Sequence, residues 1–183
     1  MKILENKGIC FILMIVLIAG GFLLGGYAGL SGQYQKAADV FFLGEDGDGI
    51  CVANDMAERA NALTNMQTIA KKYLSAGDSV LESAAEAVNA YTKADGDITA
   101  MFEANAEMDV AMGDLMWKLD DEKLSEKDES YSQRIYADFN SRNDTISHDP
   151  YNSYAAEYNE ILGHFPASLI ELLTPVKGAP VRY

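Results

Sequence analysis

Three carboxylates in the stretch "GEDGDGICVAND" have the spacing of a cation-binding loop. Asp46 and Asp48 fall at the third and fifth ligand positions of a calcium loop, Gly49 at its obligatory glycine and Asp55 at its twelfth position. Gly44 stands at the first position, and an aspartate rather than a bidentate glutamate closes the loop. Two readings follow: a cation or sensory site built on Asp46, Asp48 and Asp55, or a turn whose acids cap the next helix and face water. The histidines offer less. A bundle metal site needs Glu-x-x-His on two helices. Glu160 lies four residues before His164 rather than three, and His148 has no such glutamate. There is no H-E-x-x-H, no G-x-S-x-G and no phosphate-binding loop. The two cysteines, Cys10 and Cys51, form no C-x-x-C pair, and only the first lies in the apolar amino-terminal run. The groups needed for acid–base or nucleophilic work are not visibly assembled, so the expectation is a protein that is not an enzyme and takes no cofactor.

Charge narrows the partners. The 183 residues include 28 Asp plus Glu against 14 Lys plus Arg, a net charge of -14. Such a surface repels phosphate backbones, and no basic stripe with interleaved aromatics offsets it, so nucleic acid is excluded as an expected partner. With only four prolines and abundant Ala, Met, Glu and Lys, the composition favours helix.

The elements that carry these residues begin with "GICFILMIVLIAGGFLLGGYAGL", which has no charged side chain. A helix over residues 8–30 is long enough to cross about 30 Å of hydrocarbon. Residues 1–7 then form a short basic flank, and residues 31–183 a helical domain. Cleavage as a signal peptide after Ala28 is the competing reading, although no clean A-x-A site closes the run. Lys2 and Lys7 precede the run, whereas Lys36 alone follows it before Arg59. That bias places the amino terminus in the cytoplasm and the domain outside, on a single-pass cell-membrane anchor. Gly21, Gly25 and Gly29 form overlapping small-xxx-small frames. They suit a homo-oligomer of close-packed helices, or merely reflect how common glycine is in such segments.

Beyond the anchor the periodicity is helical. Met56, Ala60, Leu63, Gln67, Ala70 and Leu74 make one stripe. "SAGDS" ends that helix, with Gly77 suited to its C-cap and Asp78 or Ser79 to the next N-cap. Leu81, Ala84, Val88 and Tyr91 mark a short second helix, interrupted or kinked at "ADGD". Ile98, Phe102, Asn105, Met108, Met112, Leu115 and Leu119 mark a third. After the charged "DDEKLSEKDES", a last region starts near Tyr131, with Ile135, Phe139 and Ile146 on one face. Pro150 breaks it, and Asp149 can cap the restart. The expected fold is all-α: a transmembrane helix, then an antiparallel up-and-down bundle of about four long helices.

The ending reads "PYNSYAAEYNEILGHFPASLIE". Tyr151-Asn152 recurs as Tyr158-Asn159 seven residues on, and Phe165-Pro166 follows after seven more. Seven residues return to nearly the same helix face. Tyr151, Tyr158 and Phe165 are therefore expected along one seam, with Ala155 and Leu162 between them. Asn152 and Asn159 fall at its edge, either fixing register against Arg59 and Asn65 or solvated.

This repeat, followed by the apolar Leu169-Ile170, resembles the LemA family of bacterial membrane-anchored proteins. "RANALTNMQTIAKKY" is similar to a second family stretch, with Arg59, Asn65, Lys71 and Tyr73 at the matching positions. The chain departs from the family pattern at Thr64, where a proline is usual. "FFLGEDGDGICVAND" and His148-Asp149-Pro150 also interrupt helices that are usually continuous. The resemblance implies a membrane anchor and an all-helical bundle, and no reaction. The function expected is a non-enzymatic bundle that presents its surface to a protein or cell-envelope partner. The alternative is the cation or sensory domain.

Overall fold

The computed structural model describes residues 7–181; Lys2 and the rest of the flank before Lys7 lie outside them. Among the described residues the chain is all-α, with seven helices.

The first, α1 (Lys7–Leu43), is 37 residues long. It would extend about 55 Å at 1.5 Å per residue. No proline interrupts it, and it runs through Leu30 without a break. It ends where Gly44 takes a left-handed conformation (φ +86°) and donates its N–H to the Val40 carbonyl. Up to Leu24 its apolar side chains are largely bare, Leu17 being 75% exposed. From Leu23 onward one stripe turns inward: Leu30, Ala37, Ala38, Val40 and Phe41 are core residues, with Leu23 and Tyr34 packed beside them. One helix thus serves as a candidate membrane span and as part of the domain core.

The next four helices are α2 (Val52–Ala70), α3 (Ser79–Lys93), α4 (Ile98–Asp120) and α5 (Glu126–His148). They alternate up and down, and α2 packs on the other three. Residue pairings fix the directions. Gln67 reaches the Leu81 carbonyl and the Tyr91 hydroxyl reaches that of Ala53, so α3 runs back along α2. Tyr73 meets Asp128 while Asp55 meets Arg142, so α5 is also antiparallel to α2. The "ADGD" stretch is a full reversal rather than a kink. Gly96 turns through φ +80°, and Asp97 caps α4 by accepting from Ala100 N–H at 3.1 Å. Asp78 caps α3, accepting from Val80 N–H, after Gly77 at φ +93°. Helix α5 starts at Glu126, five residues before Tyr131, because Ser125 caps it from within the charged connection. The predicted stripe from Met56 to Leu74 is buried throughout.

Helix α6 (Tyr151–Gly163), α7 (Ala167–Leu173) and an irregular tail to Val181 return along α1. Two interruptions noted in the sequence face each other. The loop after α1 folds back so that Cys51 Sγ lies 3.3 Å from the Phe42 carbonyl. Across from it Tyr154, just past the Asp149-Pro150 break, donates its hydroxyl to Glu45 at 3.2 Å. The chain therefore comprises a distal four-helix bundle and a layer formed by α1, α6, α7 and the tail.

Candidate functional site

The Tyr-Asn repeat makes polar contacts between helix α6 and the tail in that layer. Tyr151 packs on Phe41, ring centroids 5.1 Å apart, and Tyr158 on Tyr34 at 5.6 Å. A step of seven forward along α6 matches a step of seven back along α1, as antiparallel helices require. Ala155 and Leu162 are buried between and beyond the two tyrosines. Phe165 does not continue the seam. Helix α6 ends at Gly163, the chain turns, and the Phe165 ring is 81% exposed.

The partners of the amides also differ from expectation. Asn159 donates to the Ala179 carbonyl (2.7 Å) and accepts from the Ala179 N–H (2.8 Å). Asn152 donates to the Ile146 carbonyl at 2.8 Å, closing the end of α5. These backbone partners lie on α5 and in the tail, whereas Arg59 and Asn65 sit on α2 in the other half of the molecule. The tyrosine hydroxyls do the same work as Asn159: Tyr151 donates to the Pro180 carbonyl (2.8 Å) and Tyr158 to that of Lys177 (3.0 Å). The tail contains Pro175 and Pro180 and forms no helix or strand. Its backbone polar groups need partners from outside, and the repeat supplies them. Burial raises the pKa of both phenols, that of Tyr158 to about 12 with Tyr34 and Glu171 adding to it. At neutral pH they stay protonated and act as donors.

Arg59 is fully buried in the bundle. Its guanidinium donates to Asn105 Oδ1, to Asp109 and to the Phe139 carbonyl, and lies 3.9 Å from the Phe139 ring centroid. It thereby ties α2 to both α4 and α5. Asn105, read from the sequence only as a stripe position, is one of its acceptors, and the signal was there in an amide at a core position. Tyr73 braces the start of α5: it donates to Asp128 (2.7 Å) and accepts from Ser125 N–H (3.2 Å). Lys72 rather than Lys71 makes the adjoining ion pair with Asp128, and Asn65 is exposed.

The acidic loop forms a turn. Asp48 accepts from Ile50 N–H at 2.9 Å, and Asp55 pairs with Arg142 at 2.8 Å. No three of the His, Cys, Asp and Glu side chains among the described residues gather to hold a metal ion. Asp55 is buried and already neutralised by a guanidinium, which works against the loop as a cation site. Exposed His148 lies beside Asp144, and His164 is exposed after α6. The cysteines are not joined in a disulfide.

A concavity of about 620 Å³ opens between α1, the start of α4 and the tail. Tyr34, Asp97, Glu103, Tyr158 and Lys177 are among the polar side chains that line it. Burial, then Asp97, raises the pKa of Tyr34. The cleft offers phenol donors, carboxylate acceptors and one ammonium, a set suited to holding a polar group. Neither histidine nor cysteine lines it. Of the glycines on α1, Gly26 meets another helix: a methyl group there would collide with the Ile170 side chain. Gly21, Gly25 and Gly29 meet nothing within 4 Å. Comparison with known families, curated proteins and solved structures finds no match.

Proposed function

We propose that the chain is a non-enzymatic, membrane-anchored helical bundle of the LemA type, which presents its surface to a protein or cell-envelope partner. One observation supports this most: the bare apolar turns of α1 lead without a break into Leu30, Ala37 and Phe41 of the domain core. A contiguous apolar surface of that size on a water-soluble protein calls for a covering phase, and the segment has the length and composition of a bilayer span. An anchor of this build is fused to the domain and holds it against the membrane. The domain lies outside the cytoplasm, in keeping with Lys7 before the span and the nearly uncharged exit. Gly21, Gly25 and Gly29 remain accessible for a second copy.

The anchor is tested by alkaline extraction of membranes: the protein stays in the pellet, and release to the supernatant refutes the reading. Orientation is tested by protease on intact protoplasts, which cuts the exposed loop at residues 45–50 only when the domain is outside. Crosslinking in intact cells followed by affinity capture recovers a reproducible partner. Recovery of none under several growth conditions counts against the presenting role.

A further inference from the structure

The carboxyl-terminal layer exposes a second apolar surface. Phe165 is 81% exposed, Leu172 79%, Leu173 57% and Leu169 39%. At 100° per residue, Leu169, Leu172 and Leu173 fall on one side of α7, whereas Glu171 lies on the opposite side. Ala167 and Ile170 face inward and are buried. The helix is thus apolar on two faces, and the core covers one of them.

Its position says what covers the other. Helix α6 runs antiparallel to α1, from Tyr151 beside Phe41 to Tyr158 beside Tyr34, and so carries the chain back towards the apolar segment. Ile170 then closes on Gly26. Twenty residues of helix, about 30 Å, suffice to cross the hydrocarbon. Counted from Gly8 they end at Tyr27, so Gly26 sits at the far boundary of the span. Leu169, Leu172 and Leu173 lie within one turn of Ile170 on this seven-residue helix, and so near that depth.

We infer that α7 and Phe165 form a second membrane contact: an interfacial helix seated in the outer boundary of the same bilayer that α1 crosses. The inference rests on the anchor reading. The occupant is the lipid headgroup–acyl boundary, with Leu169, Leu172 and Leu173 towards the acyl chains and Glu171 towards water. The domain is then gripped at two points, which fixes its tilt as well as its distance from the membrane. The drive is apolar burial, since the chain carries a net charge of -14 and an anionic surface offers it no attraction.

Trp117 is the sole tryptophan and lies 69% exposed on α4, toward its far end from Phe102 and the α1 contact. It permits a clean test on the full chain reconstituted in phosphatidylcholine vesicles. In a Trp117→Phe background, Phe165→Trp and Leu172→Trp report the proposed contact, and Phe11→Trp reports the span. All three positions are exposed, so the changes leave the core intact. Lipids brominated near the headgroup end of the acyl chain are expected to quench Phe165→Trp and Leu172→Trp roughly twofold, and more strongly than lipids brominated at mid-chain. Phe11→Trp is quenched by bromolipid within the hydrocarbon, and native Trp117 by neither lipid. Quenching of Phe11→Trp without quenching of both reporters on the α7 side overturns this inference and leaves the anchor standing. Loss of quenching at Phe11→Trp overturns the anchor and the inference with it. Quenching of Trp117 equal to that of Phe165→Trp means that the domain lies flat without a defined contact, which also overturns it.

Discussion

The two halves of the molecule bury polar groups in opposite ways. In the four-helix half, the Arg59 side chain joins three helices through Asn105, Asp109 and the Phe139 carbonyl. In the half built on α1, α6 and α7, Tyr151, Tyr158 and Asn159 each spend a side chain on backbone that has no helix of its own. The first arrangement sets how regular elements pack. The second holds an irregular strip against a helix. The difference follows from the sequence of each region: Met and Ala stripes leave room for a guanidinium among saturated helices, whereas the proline-containing tail arrives with unpaired N–H and C=O groups.

The sharpest way to break this comparison is Arg59→Ala. It leaves the Asn105 amide without its cation and removes the stacking on Phe139. Asp109 is 32% exposed and can be solvated, so the main cost is the cavity left by a fully buried side chain, about 2–5 kcal/mol. A large fall in the melting temperature of the detergent-solubilised chain is expected, with far-ultraviolet circular dichroism of the surviving folded fraction unchanged. Arg59→Lys should recover little, because an ammonium cannot reach three acceptors in a planar fork. A melting temperature close to wild type for Arg59→Ala would mean that the guanidinium merely fills space.

Tyr151→Ala probes the other half. The ring is fully buried between Phe41 and Phe102, and truncation of an aromatic core side chain costs about 3 kcal/mol. Tyr151→Phe keeps the ring and loses the bond to Pro180, so its cost is about 1 kcal/mol. Thermal melts of the two variants separate packing from tail attachment. Equal losses would show that the hydroxyl carries the effect.

Asn159→Ala is expected to cost about 1–3 kcal/mol, because both Ala179 backbone groups lose their partner. Its signature is local: faster hydrogen exchange at Ala179 and earlier proteolysis within the tail, with the α2–α5 bundle still protected. Asn65→Ala, at an exposed position, should stay within about 0.5 kcal/mol of wild type. Unchanged exchange at Ala179 would detach the Tyr-Asn repeat from the role assigned to it.

Much of this contrast could be read before any coordinates. The Met56-to-Leu74 and Ile98-to-Leu119 stripes located the bundle core because a 3.6-residue period has one geometric meaning. The heptad return of Tyr151 and Tyr158 likewise gave the shared face. What the period could not supply was the partner. Asn159 bonds a residue twenty positions later in an irregular tail, and no periodicity describes such a strip. Arg59 and Asn65 are six residues apart on one helix, yet one is buried and the other exposed, a difference set by what α2 packs against. The spacing motif picks out Gly21, Gly25 and Gly29 because it concerns helix pairs in lipid, whereas the close approach, at Gly26, is to α7 of the same chain. Spacing alone puts Phe165 in the seam, but Gly163 and Pro166 end the regular helix around it.

The junction between the halves supplies the smallest and most specific test. Asp149 is buried at the break between α5 and α6, where it accepts from Tyr151 N–H at 2.8 Å. Burial raises its pKa, and the nearby Asp55, Asp48 and Glu45 raise it further, while the bond from Tyr151 lowers it. The folded chain therefore holds this proton more tightly than the unfolded chain does. Its stabilising contribution is fully present below the ordinary carboxylate pKa, about 4, and is lost as pH rises through the elevated folded value. Asp149→Asn keeps an acceptor for Tyr151 N–H and removes the charge. The variant should melt higher than wild type at neutral pH, and the gap should close as the pH falls towards 4. Both halves meet at this residue, so a gap that instead widens on acidification would show that the ionised carboxylate holds α5 and α6 together, and that the junction belongs with the Arg59 side of the comparison.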